Sequence, residues 1–257
     1  MIVLAEILHL LIILNKKVVE DFLGKNYSVI SHGIEILAAV IGLFFYKKYK
    51  GTAAKFFICF LCFIVLCDFI GSYTKYVHNN GFFNFLQGTV WENNYWWSTL
   101  YWKIGAILFF SFYYQKILTT LLYKRILKYG TFIFSIISIV QIVTDLEGFF
   151  NQFFPLISIL GSIIIMLCIF FYFIEVLLSE NILTFYKSLN FYISVAIFLW
   201  WLIITPLVFY DIYNSTADWT FVILKWQIYL FANFFMYSMF TFGLIFSEPE
   251  NNKTLND

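Results

Sequence analysis

Charge is scarce in this chain. Asp, Glu, Lys and Arg make up 12% of its 257 residues, about half of the roughly 25% found in soluble domains. So few charges cannot coat a surface in water, and the 62% hydrophobic content excludes a soluble globular domain and a disordered chain alike. Lys and Arg number 16 against 15 Asp and Glu, a near-neutral balance that points to no nucleic acid or other polyanionic partner. The four cysteines, Cys59, Cys62, Cys67 and Cys168, all sit in apolar runs, so a disulfide framework is not expected. Cys59-Phe-Leu-Cys62 has the C-x-x-C spacing, but no histidine lies near it in sequence to support metal or redox chemistry. The three histidines, at 9, 32 and 78, are too scattered to make a catalytic zinc site by themselves. Nucleophile elbow, H-E-x-x-H, Walker A and glycine-rich nucleotide loops are all missing.

What is abundant is apolar and aromatic. Phe, Tyr and Trp reach 23%. A bilayer core of roughly 30 Å takes about 20 apolar residues per helix, and seven segments qualify: 28–46, 56–76, 98–118, 130–147, 154–178, 190–210 and 222–246. The runs are continuous rather than alternating, which excludes a β-barrel, and backbone facing lipid must be helical. The expected fold is all-α, a polytopic bundle of seven transmembrane helices.

Loop charge sets the expected orientation. The first connection carries Lys47, Lys48, Lys50 and Lys55, the third Lys116, Lys124, Arg125 and Lys128, and the fifth Lys187. The fourth carries Asp145 and Glu147, and the sixth Asp211 and Asp218. By the positive-inside rule the odd connections are cytoplasmic, so the chain runs N-out and C-in. Lys16, Lys17 and Lys25 before the first span oppose this and are outweighed. Residues 1–27 then form an extracytoplasmic N-terminal segment. Its apolar start, Met1–Leu14, reads as an interfacial helix, because it lacks a signal peptide's basic start and cleavage site. Residues 28–246 form the membrane domain, and residues 247–257 a short polar cytoplasmic tail. No stretch is left for a soluble output domain.

Six tryptophans, at 91, 96, 97, 102, 219 and 226, fall near the outer boundary, and Trp200 and Trp201 fall inside the sixth span. An interfacial aromatic belt explains the outer set; an aromatic rim around an outward pocket is the sharper reading. The connection 78–97, with Asn79, Asn80, Asn84, Gln87, Asn93 and Asn94, is long enough to form a small lid. Small and polar residues at helical spacing mark interior faces. These are His32, Glu35, Ala38, Ala39 and Gly42 in the first span and Asp68, Gly71, Ser72 and Lys75 in the second. The fifth has Ser158, Gly161, Ser162, Cys168, Tyr172 and Glu175, the sixth Ser194, Trp201 and Thr205, and the seventh Trp226, Tyr229, Asn233 and Tyr237.

Ionisable residues inside spans carry the most information. A charge near a helix centre costs about 2.5–3.5 kcal/mol, while each large apolar residue returns only about 0.3–0.6 kcal/mol. Glu35, Asp68 and Lys103 fall roughly 8–12 Å below the outer edge of the first three spans at 1.5 Å per residue. Their matching depth predicts a buried Glu35–Asp68–Lys103 cluster, with His32 and Asn233 as neighbours and Trp97 or Trp102 at its mouth. Either the cluster is an ion pair that locks the bundle, or it is a polar site for a ligand or proton. Thr205-Pro206 should kink the sixth helix and free a backbone carbonyl there.

The run Trp201-Leu-Ile-Ile-Thr205-Pro206-Leu207 looks like the third helix of microbial rhodopsins. It lies on the sixth helix here, with Trp200 where the proton-accepting carboxylate would be, and Lys225 lies near an end of the seventh. A retinal Schiff base is not expected. The runs Ile34-Glu35-Ile36-Leu37, Phe44-Phe45-Tyr46-Lys47-Lys48-Tyr49-Lys50, Phe185-Tyr186-Lys187-Ser188-Leu189 and Phe240-Thr241-Phe242-Gly243 resemble small multi-pass membrane proteins of AT-rich Gram-negative bacteria of the flavobacterial kind. That resemblance covers residues 28–246 and implies residence in the bacterial inner membrane and nothing catalytic.

The expected function is a transporter-like or sensor-like protein that binds a small molecule or ion. Its outward polar site would comprise His32, Glu35, Asp68, Lys103, Trp97, Trp102, Thr205 and Asn233. Glu35 and Asp68 would take a cation or proton, and Lys103 an anionic group. Neither a metal nor a cofactor is expected. The alternatives are a structural or assembly subunit that binds another membrane protein through its lipid-facing helices, and a lipid-modifying enzyme. The enzyme ranks last because the sequence displays no nucleophile–base pair.

Overall fold

The structure is a computed structural model. It describes residues 2–78, 81–179, 183–213 and 219–249, and within these the side chains of 2–21, 23, 24, 210–213, 219 and 220 are not described. The expectations on Lys16, Lys17, Asn79, Asn80, Asp211, Asp218, Trp219 and residues 250–257 therefore fall outside the described residues or side chains.

Every regular element is helical among the described residues. Helix α1 spans Ile2–Tyr49 without a break, so the backbone of residues 2–27 continues the first apolar run. Thr52 closes the turn into α2 (Ala54–Gly71) by donating to the Tyr49 carbonyl and accepting from the Ala54 amide. A 3-10 turn, Ser72–Tyr76, extends α2. Next comes a composite helix: α3 (Tyr95–Ser98), a π-helical segment (Thr99–Ala106) and α4 (Ile107–Ile117). Helix α5 covers Leu121–Thr144. Asp145 then caps the short α6 (Leu146–Asn151) through the Gly148 amide. Pro155 opens α7 (Pro155–Leu178), where its missing N–H is harmless. Ser188 accepts from the Asn190 amide at the start of α8 (Leu189–Tyr213), and α9 covers Trp219–Phe246.

Six of these segments are long and apolar enough to cross a membrane: Lys25–Tyr49, Ala54–Tyr76, Leu121–Thr144, Pro155–Leu178, Leu189–Phe209 and Phe221–Phe246. The composite helix departs from that pattern because its first half is wound as a π-helix. It still runs the length of the bundle. Trp97 at its start donates to the Cys67 carbonyl on α2, and Tyr113 near its end donates to Asn190 on α8.

The helices form a ring. Helix α1 packs between α2 and α9, α9 against α8, α8 against α7, and α7 against the composite helix, which closes back on α2. Aromatic rings fill the middle: Phe57 of α2 meets Phe240 of α9 at 4.9 Å and Tyr113 of α4 at 6.1 Å. Helix α5 lies outside the ring, mainly against α7 and α4, and buries only Leu127, Phe134 and Ser138. Large apolar side chains face outward on every long helix, among them Phe44, Phe69, Phe132 and Phe231. A surface of this kind is built for lipid or for another apolar partner.

Pro206 lies inside α8, which continues through it, and the Thr205 hydroxyl donates to the Trp201 carbonyl at 2.6 Å. The interior faces read from spacing are inside on α1 and α7, whereas Lys75, expected on the inner face of the second span, is exposed. Glu35, Ala38, Ala39 and Gly42 are buried on α1, as are Ser158, Gly161, Ser162, Cys168 and Tyr172 on α7.

Candidate functional site

The polar residues divide between the two ends of the ring. At the Tyr49 end the tyrosines are paired within the chain, while the buried Ser247 hydroxyl has no partner among the described residues. Tyr49 donates to the Leu244 and Ser247 carbonyls, Tyr113 donates to Asn190, and Tyr114 shares a 2.7 Å bond with Ser194. The Glu175 carboxylate accepts from the Thr119 and Thr120 amides that precede α5.

At the opposite end, which we call the Asn94 end, a cavity of about 360 Å³ opens between α1, α2, the π segment, α8 and α9. Helical spacing builds it. Ser28, Ser31, His32 and Glu35 follow one face of α1 at intervals of three and four. Asp68, Ser72 and Lys75 do the same on α2 and its 3-10 extension, and Asn233 and Tyr237 on α9. The π segment brings Tyr101 and Trp102, two adjacent residues, to the same lining. Single π turns inside helices recur at functional sites because the widened turn re-aims side chains.

The chemistry concentrates on three residues. One ligand atom from each of His32, Glu35 and Asp68 lies within 4.8 Å of the other two. Glu35 is buried, with 6% of its surface exposed. Its Oε2 sits 3.4 Å from His32 Nδ1, and the other ring nitrogen, Nε2, sits 3.4 Å from Ser72 Oγ. Ser72 Oγ also donates to the Asp68 carbonyl at 3.0 Å, and the Tyr101 hydroxyl donates to Asp68 Oδ1. Among the described residues, the ion pair of Glu35 is with His32, and Asp68 has none. Lys75 lines the cavity mouth, where its ammonium donates to Ser28.

The predicted residues can now be sorted. Glu35, Asp68, His32, Asn233 and Trp102 all line the cavity. Asn233 accepts from Trp200 at 2.7 Å and donates to Ser31 at 3.4 Å, while Trp102 packs edge-on against Trp200 at 5.4 Å. Lys103 does not join the cluster. Its ammonium lies over the Phe153 ring, 5.9 Å from the centroid, beyond the cavity lining. The reason is rotation about the helix: residues two apart lie on roughly opposite sides, in the wide π turn as in an α turn, so the face that brings Tyr101 to Asp68 turns Lys103 away. Trp97 is also outside the lining; it packs on Gly71, whose lack of a side chain leaves the ring room. Thr205 is outside it too, tied to its own helix. The loop preceding α3 contributes Asn94, which donates to the Gly71 carbonyl, and otherwise packs through Trp91 on Phe150 of α6.

Reading by spacing missed Tyr101 as the partner of Asp68 and undervalued Ser72. The signal for Tyr101 was its position two residues before the lysine that depth alone had selected. For Ser72 it was the interval of four from Asp68, which puts both on one face.

Comparison of the chain with protein-family models, with curated proteins and with solved structures finds no match.

Proposed function

We propose that this chain is a multi-pass integral membrane protein that binds a cation or a small polar molecule in the cavity at its Asn94 end, in transport or sensing. The observation that carries this reading is the cavity itself. Two carboxylates and an imidazole face open volume rather than lysine or arginine partners, within helices long and apolar enough to cross a bilayer. A charge so placed is costly in lipid and is by default functional.

The same reading takes the composite helix as a seventh crossing, since its 95–117 run is continuous in helix and as long as its neighbours. Lysine and arginine cluster along the chain at the Tyr49 end, so that end faces the cytoplasm and the cavity faces outward, N-out and C-in. Helical spans of this kind suit the inner membrane of a bacterium, whereas outer-membrane spans are barrels.

Ser72 tests the reading directly. In a background free of native cysteines, Ser72→Cys should react with a membrane-impermeant maleimide applied to the outer face of intact spheroplasts, and Asn190→Cys at the Tyr49 end should not. Labelling of Ser72→Cys only from the cytoplasmic face, or not at all in folded protein, would overturn it. Asp68→Asn separates a site from a structural lock: a site keeps expression and folding and loses ligand response, whereas a lock loses the folded protein.

One observation favours a second reading. Ser72 Oγ, His32 and Glu35 line up as a hydroxyl, an imidazole and a carboxylate, each step 3.4 Å, the order of a nucleophile, base and orienting acid. That is the pair a lipid-modifying enzyme needs. Against it, the Ser72 proton is committed to the Asp68 carbonyl, and the Ser72 amide is bonded within the helix rather than aimed at an oxyanion. Labelling of Ser72 by a fluorophosphonate would decide for the enzyme.

A further inference from the structure

We infer that His32, Glu35 and Asp68 form a binding site for a divalent first-row transition-metal ion, with Ser72 and Tyr101 as the groups that orient its ligands. This rests on the cavity being the binding site and names the ion it takes. It also departs from the sequence reading, which expected no metal.

The hydrogen bonds carry the argument. Ser72 Oγ sits 3.0 Å from the Asp68 carbonyl oxygen, which cannot donate, so the hydrogen between them is the serine's. The hydroxyl oxygen therefore meets His32 Nε2 at 3.4 Å as an acceptor, and Nε2 carries the ring hydrogen. That leaves the Nδ1 lone pair directed at Glu35 Oε2, 3.4 Å away. Two lone pairs face each other unless a cation lies between them, either a proton or a metal ion. An imidazole whose second nitrogen donates to a fixed acceptor is the usual arrangement of a metal-bound histidine. Asp68 is held in a similar way, because Tyr101 donates to its Oδ1.

Geometry and charge agree. A tetrahedral ion with bonds of about 2.0–2.1 Å to nitrogen and oxygen separates its ligands by roughly 3.3–3.4 Å, which is the His32–Glu35 spacing. Asp68, which already lines the cavity, offers its ligand atom within 4.8 Å of the other two. The two carboxylates and a neutral imidazole carry two negative charges, which one divalent ion balances among the ligands themselves, while Lys75 stands at the mouth on Ser28. A nitrogen ligand selects against calcium and magnesium, which take oxygen, and towards zinc, cobalt, iron or manganese.

The test uses full-length protein purified in detergent and stripped with chelator, titrated with Zn²⁺ and then with Co²⁺. We expect about one ion per chain, a Co²⁺ visible spectrum of nitrogen–oxygen coordination, and protection of His32 from diethylpyrocarbonate in the metal-loaded protein. His32→Gln, Glu35→Gln and Asp68→Asn should each weaken binding at least about tenfold, and Lys103→Ala should leave it unchanged. Protection of His32 in the unsubstituted protein keeps the test valid for any variant that fails to fold. No stoichiometric binding by folded protein, binding insensitive to all three substitutions, or equal competition by Ca²⁺ or Na⁺ would overturn the metal site. Those results leave the outward cavity standing where Ser72→Cys still labels from outside. Failure of that labelling removes the cavity and the metal together.

Discussion

The two ends of the bundle hold similar residue types in opposite states. At the Tyr49 end the tyrosine hydroxyls of 49, 113 and 114 are buried and bonded to carbonyls, an amide and a serine, and the gap beside Thr52 and Asn190 is only about 10 Å³. At the Asn94 end the polar groups border about 360 Å³ of open volume. One end pairs its tyrosines with its own chain and leaves no room for a ligand, although the buried Ser247 hydroxyl lacks a partner there among the described residues. The other holds His32, Glu35 and Asp68 short of full pairing, so binding can complete them. Polarity inside an apolar helical bundle is therefore no sign of function by itself; what matters is whether the partners are already present.

Substitution should expose that contrast most strongly at the closed end. Tyr113 is fully buried and touches Phe57, Phe109 and Tyr114. Tyr113→Ala should lower stability by about 3–5 kcal/mol, as aromatic truncations in packed cores do, read as a fall in the thermal midpoint in detergent. Tyr113→Phe keeps the packing and strands Asn190, so about 1–3 kcal/mol is expected. A smaller loss for the alanine than for the phenylalanine would mean that this end is not packed as described.

Gly243 gives a second measure of the same end. A Cβ there would lie 2.7 Å from Tyr192 Cβ, where α8 and α9 pack against each other. Gly243→Ala must push the helices apart and should cost about 1–3 kcal/mol. At the open end, Glu35→Gln and Asp68→Asn preserve shape and remove charge. They should change stability by less than about 1 kcal/mol while abolishing ligand or metal response. A large loss of stability in both would make the two ends alike and return the cluster to a structural lock.

How much of this was legible beforehand differs by element. Apolar run length located the long helices but not their ends: α1 begins at Ile2 rather than near residue 28, and α5 begins at Leu121, so Lys124, Arg125 and Lys128, expected in a connection, lie within it. Spacing found the interior faces of α1 and α7, since three- and four-residue intervals set which side chains meet. Depth brought Glu35 and Asp68 together but misplaced Lys103, because depth fixes height along a helix and says nothing of rotation about it. The π segment made rotation harder still to read: its widened turns depend on where backbone hydrogen bonds shift register, which residue type does not encode. Gly105 is one trace of it, since a Cβ there would come within 3.0 Å of the Leu100 carbonyl five residues earlier. The Ser72–His32 contact joins α1 to α2 across 40 residues and needed the crossing of the two helices to be known.

The mildest prediction bears on the open end alone. Gly33 lies on α1 between His32 and Glu35, and a Cβ there would meet nothing within 4 Å. Glycine inside a helix costs about 0.5–1 kcal/mol relative to alanine through the freedom it loses on folding. Where α1 serves only as a rigid wall, Gly33→Ala should raise stability by about that amount and leave ligand affinity unchanged. Where binding pulls His32 and Glu35 onto an ion by flexing the helix between them, the same change should raise the thermal midpoint and weaken affinity together. Measuring both on one preparation separates a preformed site from one that closes, and at the Tyr49 end, with no ligand to close on, Gly243→Ala offers no such split.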